Sequence, residues 1–149
     1  MIEVYNWDKN LLEIEDKYNN HYYLELNGNK NIVKGCSGVG KTYLCDRIRK
    51  LKNSGNENSK YDVSNIIILN KDNKDKLGQF KNQLIIIDNA ELLLSELDVE
   101  KINLDDNNRY LIFARVPIGI EVSPNHQADF LTEDNTTYMR YRFDVKGWC

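Results

Sequence analysis

One short segment of the sequence combines glycine, lysine and threonine at a spacing suited to holding a chain of phosphate groups. The segment, which we call the phosphate loop, is Gly35-Cys36-Ser37-Gly38-Val39-Gly40-Lys41-Thr42. Backbone N–H groups can approach phosphate oxygens closely only where side chains are absent, and the three glycines meet that need. The lysine ammonium would reach the β- and γ-phosphates, and the threonine hydroxyl would bind Mg²⁺. The pattern predicts binding of a nucleoside triphosphate with Mg²⁺.

The residues on either side of the phosphate loop predict the elements that must position it. Residues 31–34 are typical of a short strand that runs directly into the loop. Beyond it, Leu44, Ile48 and Leu51 recur at helical spacing among charged residues, which predicts an amphipathic helix starting near Lys41. The free N–H groups and the positive dipole end of that helix would point at the same phosphates.

A second candidate site lies downstream, where Leu84-Ile85-Ile86-Ile87-Asp88 places an aspartate after four apolar residues. Parallel sheets bind ligands beyond the carboxyl ends of their strands. We therefore expect Asp88 and the phosphate loop to share one edge of a sheet. There the carboxylate would hold Mg²⁺ directly or through water.

Three apolar runs predict strands that are buried on both faces, as in a parallel sheet. They span residues 65–69, 84–87 and 110–114, and a Leu-rich helix is expected over 90–104. Residues 139–145 alternate between apolar and charged types, which predicts a strand at the edge of the sheet.

The region before the phosphate loop predicts a β-hairpin. Tyr22, Leu24 and Leu26 alternate with Tyr23 and Glu25, as in a half-buried strand. The following Asn-Gly pair suits a tight turn into the strand that precedes the phosphate loop. Residues 116–131 follow no periodic pattern, and we expect them to form an ordered loop, with the nucleotide as one possible neighbour.

These motifs together resemble the P-loop NTPase superfamily, on its additional-strand, catalytic-glutamate branch and close to small AAA-type ATPases. The similarity covers about residues 31–115, and the segment ending in Asp88 resembles a Walker B strand. We predict a single nucleotide-binding domain over residues 1–149 with a three-layer α/β fold. Its mainly parallel sheet would have about five strands, to which the N-terminal β-hairpin is added. The resemblance implies the spatial strand order 5-1-4-3-2.

The resemblance also implies catalytic roles, and the sequence departs from it at one of them. Such ATPases usually carry glutamate directly after the Walker B aspartate to orient the attacking water, whereas here that residue is Asn89. An amide can hold a water molecule but cannot accept its proton. Glu91 is a candidate substitute, Lys41 acts on the transferred phosphate, and Arg115 is a candidate sensor residue or simply caps a strand end. Turnover is therefore expected to be slow or absent.

ATP is favoured as the nucleotide because the guanine-binding pattern fails. Residues 70–72 are Asn-Lys-Asp, but Asn73 stands where that pattern needs aspartate, and the segment precedes the Walker B strand. Three functions remain open: a slow ATPase or ATP-driven switch, a small-molecule kinase, and a non-hydrolysing interaction module. The kinase reading is weakened because Arg140 and Arg142 lie on the predicted edge strand instead of a mobile lid.

Composition sets the wider expectations. A net charge of −3 over 149 residues gives no sign of general nucleic-acid binding. No signal peptide and no apolar run of membrane-spanning length are visible, and three unpaired cysteines fit a reducing compartment, so we expect a cytoplasmic protein without a membrane partner. A protein partner or homo-oligomer is compatible with the sequence.

Overall fold

The computed structural model describes residues 1–35, 39–53 and 60–141. The phosphate-loop residues Cys36, Ser37 and Gly38, the side chain of Val39 and the final segment 142–149 lie outside this description. The elements are, in chain order, β1 (Ile2–Glu3), β2 (Tyr5–Asn6), β3 (Leu11–Glu15), β4 (His21–Glu25), β5 (Lys30–Lys34), α1 (Val39–Asn53), β6 (Tyr61–Asp62), β7 (Ile66–Ile68), β8 (Leu84–Ile87), α2 (Ala90–Leu93), α3 (Glu96–Leu104), β9 (Arg109–Ala114), β10 (Gln127–Glu133) and β11 (Thr136–Tyr141), with short 3-10 helices at Lys74–Lys76 and Pro124–His126.

Nine of the strands form one mixed sheet in the order β2-β3-β4-β11-β10-β5-β9-β8-β7. The pairs β2–β3, β3–β4 and β10–β11 are antiparallel, and the other five pairs are parallel. We call β10, β5, β9, β8 and β7 the parallel segment and β2, β3, β4 and β11 the outer segment. Strands β1 and β6 form a separate two-stranded parallel ladder.

In the parallel segment, successive side chains enter two different hydrophobic clusters. Leu84 and Ile86 of β8 join the cluster that contains Leu44 of α1, whereas Ile85 belongs to the cluster that contains Ile102 of α3. Because successive side chains of a strand point to opposite faces, both faces of the central strands β5, β9 and β8 are covered. The continuous apolar runs of the sequence follow from that double coverage.

The outer segment has the opposite pattern, because its strands alternate. Leu12 and Ile14 of β3 and Leu24 of β4 are buried, whereas Glu15 and Glu25 are exposed. The buried residues join the same cluster as α1. One face of the outer segment therefore packs on the core while the other carries polar and aromatic side chains.

The predicted fold class is wrong for this chain. A three-layer α/β domain with about five mainly parallel strands was expected, but the sheet has nine strands, three of its pairs are antiparallel, and the described residues contain three α-helices. The resemblance to the P-loop NTPase superfamily does not account for the outer segment. Within the parallel segment, β5, β9, β8 and β7 follow the order expected for the first four strands, but the place expected for residues 139–145 is taken by β10, from residues expected largely within a loop.

The predicted N-terminal hairpin and edge strand also require correction. Strands β4 and β5 are not paired, because β11 and β10 lie between them, and β4 instead forms an antiparallel pair with β3. The strand expected from residue 139 onward begins at Thr136 and is paired on both sides, so it is not at an edge. Residues 127–133, expected within a loop, form β10.

The elements expected around the motifs are largely confirmed. Helix α1 buries Leu44, Ile48 and Leu51, and the three apolar runs form β7, β8 and β9. The helix expected over 90–104 is divided into α2 and α3. The first ends at Leu93 with Leu94 as its C-cap, and Ser95 starts the second, since its side chain accepts from the Asp98 backbone N–H while the Asp98 carboxylate accepts from the Ser95 N–H.

No helix in the part of the chain that the structure describes is both long enough and apolar enough to cross a bilayer.

Candidate phosphate-binding site

The candidate residues lie where three parallel strands end. Gly35 directly follows β5, Asp88 follows β8, and Arg115 follows β9. These strands are neighbours in the order β5-β9-β8 and run in the same direction, so their carboxyl ends lie at one edge. Helix α1 begins beside this edge and supplies Lys41 and Thr42 in its first turn.

A small pocket at this edge, the phosphate pocket, contains most of the predicted site residues. Its volume is about 80 Å³, and its lining residues are Gly35, Lys41, Thr42, Asp88, Asn89, Glu91, Phe113, Ala114 and Arg115. The structure therefore brings together the predicted lysine, both metal-ligand candidates, the substitute carboxylate and the candidate sensor. Gly40 is in the first turn of α1 but does not line the pocket.

The side chain of Lys41 folds back over the end of β5. A Cβ atom placed on Gly35 would lie 3.1 Å from Lys41 Nζ, and Gly35 has φ +143°. Only glycine leaves room for the ammonium here without strain or displacement. The site thus has a space beside the lysine that any other residue type would fill.

Lys41 is 8% exposed, and this burial makes the charged form of its ammonium group less stable than it is in water. Burial lowers the pKa of Lys41, the positive charge of Arg115 lowers it further, and the carboxylates of Asp88 and Asp129 act in the opposite direction. Two cations near one pocket favour an anionic ligand, because an anion would offset both the lost hydration and the mutual repulsion.

Thr42 and Asp88 offer the oxygen atoms that suit Mg²⁺. Both line the phosphate pocket, Asp88 being half-buried and Thr42 exposed. Among the residues described, no group of three or more His, Cys, Asp or Glu side chains could hold a metal ion. The two oxygen donors Thr42 and Asp88 fit Mg²⁺, which usually takes one or two protein ligands and completes its shell with water and phosphate oxygens.

Glu91 and Asn89 occupy the turn after β8. Asn89 has φ 50° and redirects the chain into α2, and its side chain makes no capping hydrogen bond. Glu91 lies in the first turn of α2 and its Oε2 accepts from the backbone N–H of Arg115 at 3.4 Å. The turn therefore places Glu91 at the pocket, as its candidate role requires. Asp88 and Glu91 are the two carboxylates among the described lining residues.

Two contacts to the site were not predicted from the sequence. The Tyr22 hydroxyl of β4 donates to the Gly40 carbonyl oxygen at 3.0 Å, and the Tyr22 ring lies near Phe130 of β10 with ring centroids 6.5 Å apart. Asp129, also on β10, influences Lys41 and accepts two hydrogen bonds from Arg140 at 2.8 and 3.0 Å. The alternation of β4 indicated that Tyr22 is buried, but the position of β10 had no signal in the sequence.

Comparison with known proteins adds no relative. The chain matches no protein family, no curated protein and no solved structure. The identification as a member of the P-loop NTPase superfamily is therefore wrong on the fold, which is a nine-stranded mixed sheet with few helices, and is supported by none of these comparisons. The candidate site therefore rests only on the side chains that line the phosphate pocket.

Proposed function

We propose that the phosphate pocket binds the phosphate tail of a nucleoside triphosphate, with Mg²⁺, and that the protein is a slow ATPase or a nucleotide-dependent switch. One observation carries the proposal: Lys41, Thr42 and Asp88 line the same pocket as Arg115. Those side chains supply positive charge and hard oxygen ligands, the chemistry that a metal-bound polyphosphate needs. The proposal rests on these residues and not on membership of a superfamily.

Each residue of the pocket has a distinct part in binding. The Lys41 ammonium and the Arg115 guanidinium offset phosphate charge in a partly dehydrated site, where such interactions are stronger than in bulk water. The free backbone N–H groups at the start of the 15-residue helix α1 add donors and the positive end of its dipole. Mg²⁺ held by Thr42 and Asp88 would neutralise further charge on the phosphates.

Slow hydrolysis follows from the residues after β8. Asn89 can hold water but cannot take its proton. Glu91 can act as the proton acceptor, although its Oε2 also accepts the Arg115 N–H. ATP is proposed because the guanine-binding pattern fails, since Asn73 stands where that pattern needs aspartate.

Nucleotide titration of the full chain, with and without Mg²⁺, tests the binding. Loss of a charge-assisted contact costs about 1.5–3 kcal/mol, so Lys41→Ala should weaken ATP binding about ten- to a hundredfold. Asp88→Asn should mainly remove the dependence on Mg²⁺. Lys50→Ala is the matched control, because Lys50 is exposed near the other end of the same helix and does not line the pocket. Equal ATP affinity in all four proteins would contradict the proposal.

A product assay then distinguishes hydrolysis from binding alone. Release of phosphate that disappears in Glu91→Gln, with ATP affinity retained, identifies Glu91 as the proton acceptor. Tight ATP binding without any phosphate release favours a non-hydrolysing interaction module, which the amide at Asn89 supports. A phosphorylated small acceptor would instead indicate a kinase.

A further inference from the structure

We propose that a second pocket, at the β7 edge of the sheet, binds a small organic anion with a flat apolar body. This pocket, which we call the edge groove, has a volume of about 390 Å³ and lies between the last turns of α1, strand β7 and residues 70–80. Small-molecule pockets usually measure about 300–1,000 Å³, so a small ligand can be enclosed here. The groove shares no lining residue with the phosphate pocket.

The charge of the edge groove is one-sided. Arg49, Lys52 and Lys76 line it, and no carboxylate is among the described lining residues. Asp72 and Asp75 of the 70–80 segment are exposed and do not line the groove, and two further acids lie near its cations. Asp46 accepts from Arg49 at 2.9 Å, but both side chains are more than two-fifths exposed, where an ion pair contributes little, and Arg49 can exchange it for a ligand. Asp62 acts on Lys52 only as a minor electrostatic influence, secondary to burial.

Two of the three asparagine side chains that line the groove have their oxygens occupied by backbone donors. The side-chain oxygen of Asn70 accepts from the backbone N–H groups of Asp72 and Asn73, at 2.8 and 2.9 Å. The side-chain oxygen of Asn73 accepts from the Asn70 N–H at 2.8 Å. The amide nitrogen of Asn70, which has two hydrogens, forms no hydrogen bond within the described chain. The Asn70 amide nitrogen can therefore donate to a ligand that carries acceptor atoms.

Part of this polar lining has a structural role that the proposal does not need. Lys52 Nζ donates to the backbone oxygens of Val63, at 3.1 Å, and Ile66, and Asn73 donates to that of Ile68 at 3.0 Å. These contacts cover the open edge of β7. Arg49 and Lys76 do not take part in that cover. The exposed Lys76 ammonium has no hydrogen bond or ion pair to any residue within the described ranges, so it can turn to a ligand in the groove.

The apolar part of the groove specifies the body of the ligand. Ile67, Ile68 and Phe80 line it, and Ile67 and Phe80 are only half-buried. Ile67 and Phe80 pack against the same hydrophobic cluster, and an aliphatic side chain together with an aromatic ring favours a flat apolar group, which packs against both kinds of surface. The ligand we propose therefore joins a planar ring to a phosphate or carboxylate group.

Titration calorimetry of the full chain with minimal probes tests this assignment. Phenyl phosphate and benzoate carry both features, inorganic phosphate carries only the charge, and phenol carries only the ring. We expect phenyl phosphate or benzoate to bind at least about tenfold more tightly than phenol or inorganic phosphate, and the affinity to fall as salt is raised. Comparison of the first two probes shows whether the groove prefers phosphate or carboxylate.

Matched variants locate the binding. Arg49→Ala and Lys76→Ala should each weaken the better probe by about three- to tenfold, on the scale of a partly exposed charge-assisted contact. Lys50→Ala and Lys71→Ala are the controls, since both lysines are exposed neighbours outside the groove. Arg49→Ala and Lys76→Ala should leave the Mg²⁺-dependent part of ATP binding unchanged, which separates this inference from the function proposed for the phosphate pocket.

Three results would overturn the inference. These are no binding of either probe at millimolar concentration, equal binding of phenol, and equal losses in the groove variants and their controls. Far-UV circular dichroism confirms that each variant is folded before it is titrated.

Discussion

The parallel and outer segments belong to one sheet, yet they use their side chains in different ways. All four residues of β8 are buried, two toward each hydrophobic cluster, whereas in β4 burial alternates from one residue to the next. A strand covered on both faces has its side chains committed to packing, so chemistry is confined to its ends. Asp88 and Arg115 are such end residues, and Gly35 is a third.

The outer segment differs because only one of its faces packs against the core. Tyr23 of β4 and Tyr138 of β11 meet edge-on across that face with ring centroids 6.2 Å apart, beside His21. None of the phosphate-pocket lining comes from this segment. Its links to the site are the Tyr22 hydroxyl, which donates to the Gly40 carbonyl oxygen, and Arg140, which donates to Asp129 near Lys41. In this sheet the parallel segment forms the site and the outer segment supports it.

The largest expected loss of stability comes from substituting neighbouring residues in a strand of each segment. Ile85→Ala and Ile86→Ala should each lower the free energy of unfolding by about 2–5 kcal/mol, because both create cavities in packed clusters. In β4, Leu24→Ala should cost as much, but Tyr23→Ala only about 1 kcal/mol or less. Urea unfolding measures all four. Equal costs at Tyr23 and Leu24 would contradict the assignment of one solvent-facing side.

The two described glycines of the phosphate loop should respond differently. Gly35→Ala forces a left-handed backbone, at about 1–3 kcal/mol, and crowds Lys41, so stability and ATP affinity should both fall. Gly40→Ala meets only Phe130 at 3.7 Å, an ordinary contact, and should keep or raise stability by up to about 1 kcal/mol. Its ATP affinity should fall if the main chain approaches phosphate there. Unchanged affinity in both variants, measured by titration, would remove the loop from the site.

One hydrogen bond from the outer segment to the first turn of α1 can be removed by deleting a single atom. Tyr22→Phe removes the hydroxyl that donates to Gly40 and should lower the free energy of unfolding by about 1 kcal/mol. Because Gly40 lies in the first turn of α1, ATP binding should weaken in the same variant. Tyr23→Phe, one residue along and outside that contact, is the control. A stability loss with unchanged affinity would show that the outer segment supports the fold but does not position the site.

The smallest effect concerns acid stability at the junction of α2 and α3. Burial alone would raise the pKa of Asp98, but hydrogen bonds from the Ser95 backbone and from Lys74 outweigh it and hold that pKa below its ordinary value. A lowered pKa in the folded state stabilises the protein above about pH 4 and is lost as the pH falls further. Asp98→Asn should cost about 1 kcal/mol at pH 7. The difference from the unchanged protein should shrink as the pH is lowered below about 4 in urea titrations.

The sequence carried enough information to predict the parallel strands around the motifs, because their double burial leaves continuous apolar runs. It also predicted which residues meet at the strand ends, since parallel direction alone brings Asp88 and Gly35 to one edge. The break at Ser95 had a signal as well, a serine followed three residues later by an aspartate, but the Leu-rich composition obscured it.

The pairing partners could not be predicted, because they depend on contacts between distant segments. Residues 127–133 mix polar and apolar types, and Ala128 is a small residue buried in the middle of the sheet. The Asn27-Gly28 pair suggested a hairpin from local turn chemistry, but the Asn27 backbone N–H donates instead to the Asn31 side chain, and two other strands separate β4 from β5. The influence of Asp129 on Lys41 follows from that placement and had no local signal.

The insertion of β10 and β11 between β4 and β5 has a consequence for biosynthesis. Thr136 pairs with His21, and Gln127 pairs with Ile32, so each contact joins residues about a hundred positions apart. Ribosomes add roughly 5–20 residues per second, which leaves a newly made β4 and β5 without these neighbours for roughly 5–20 seconds. During that interval both strands expose unsatisfied edges to other nascent chains. The protein should therefore depend on chaperones more than a chain with locally paired strands, and refold slowly from denaturant.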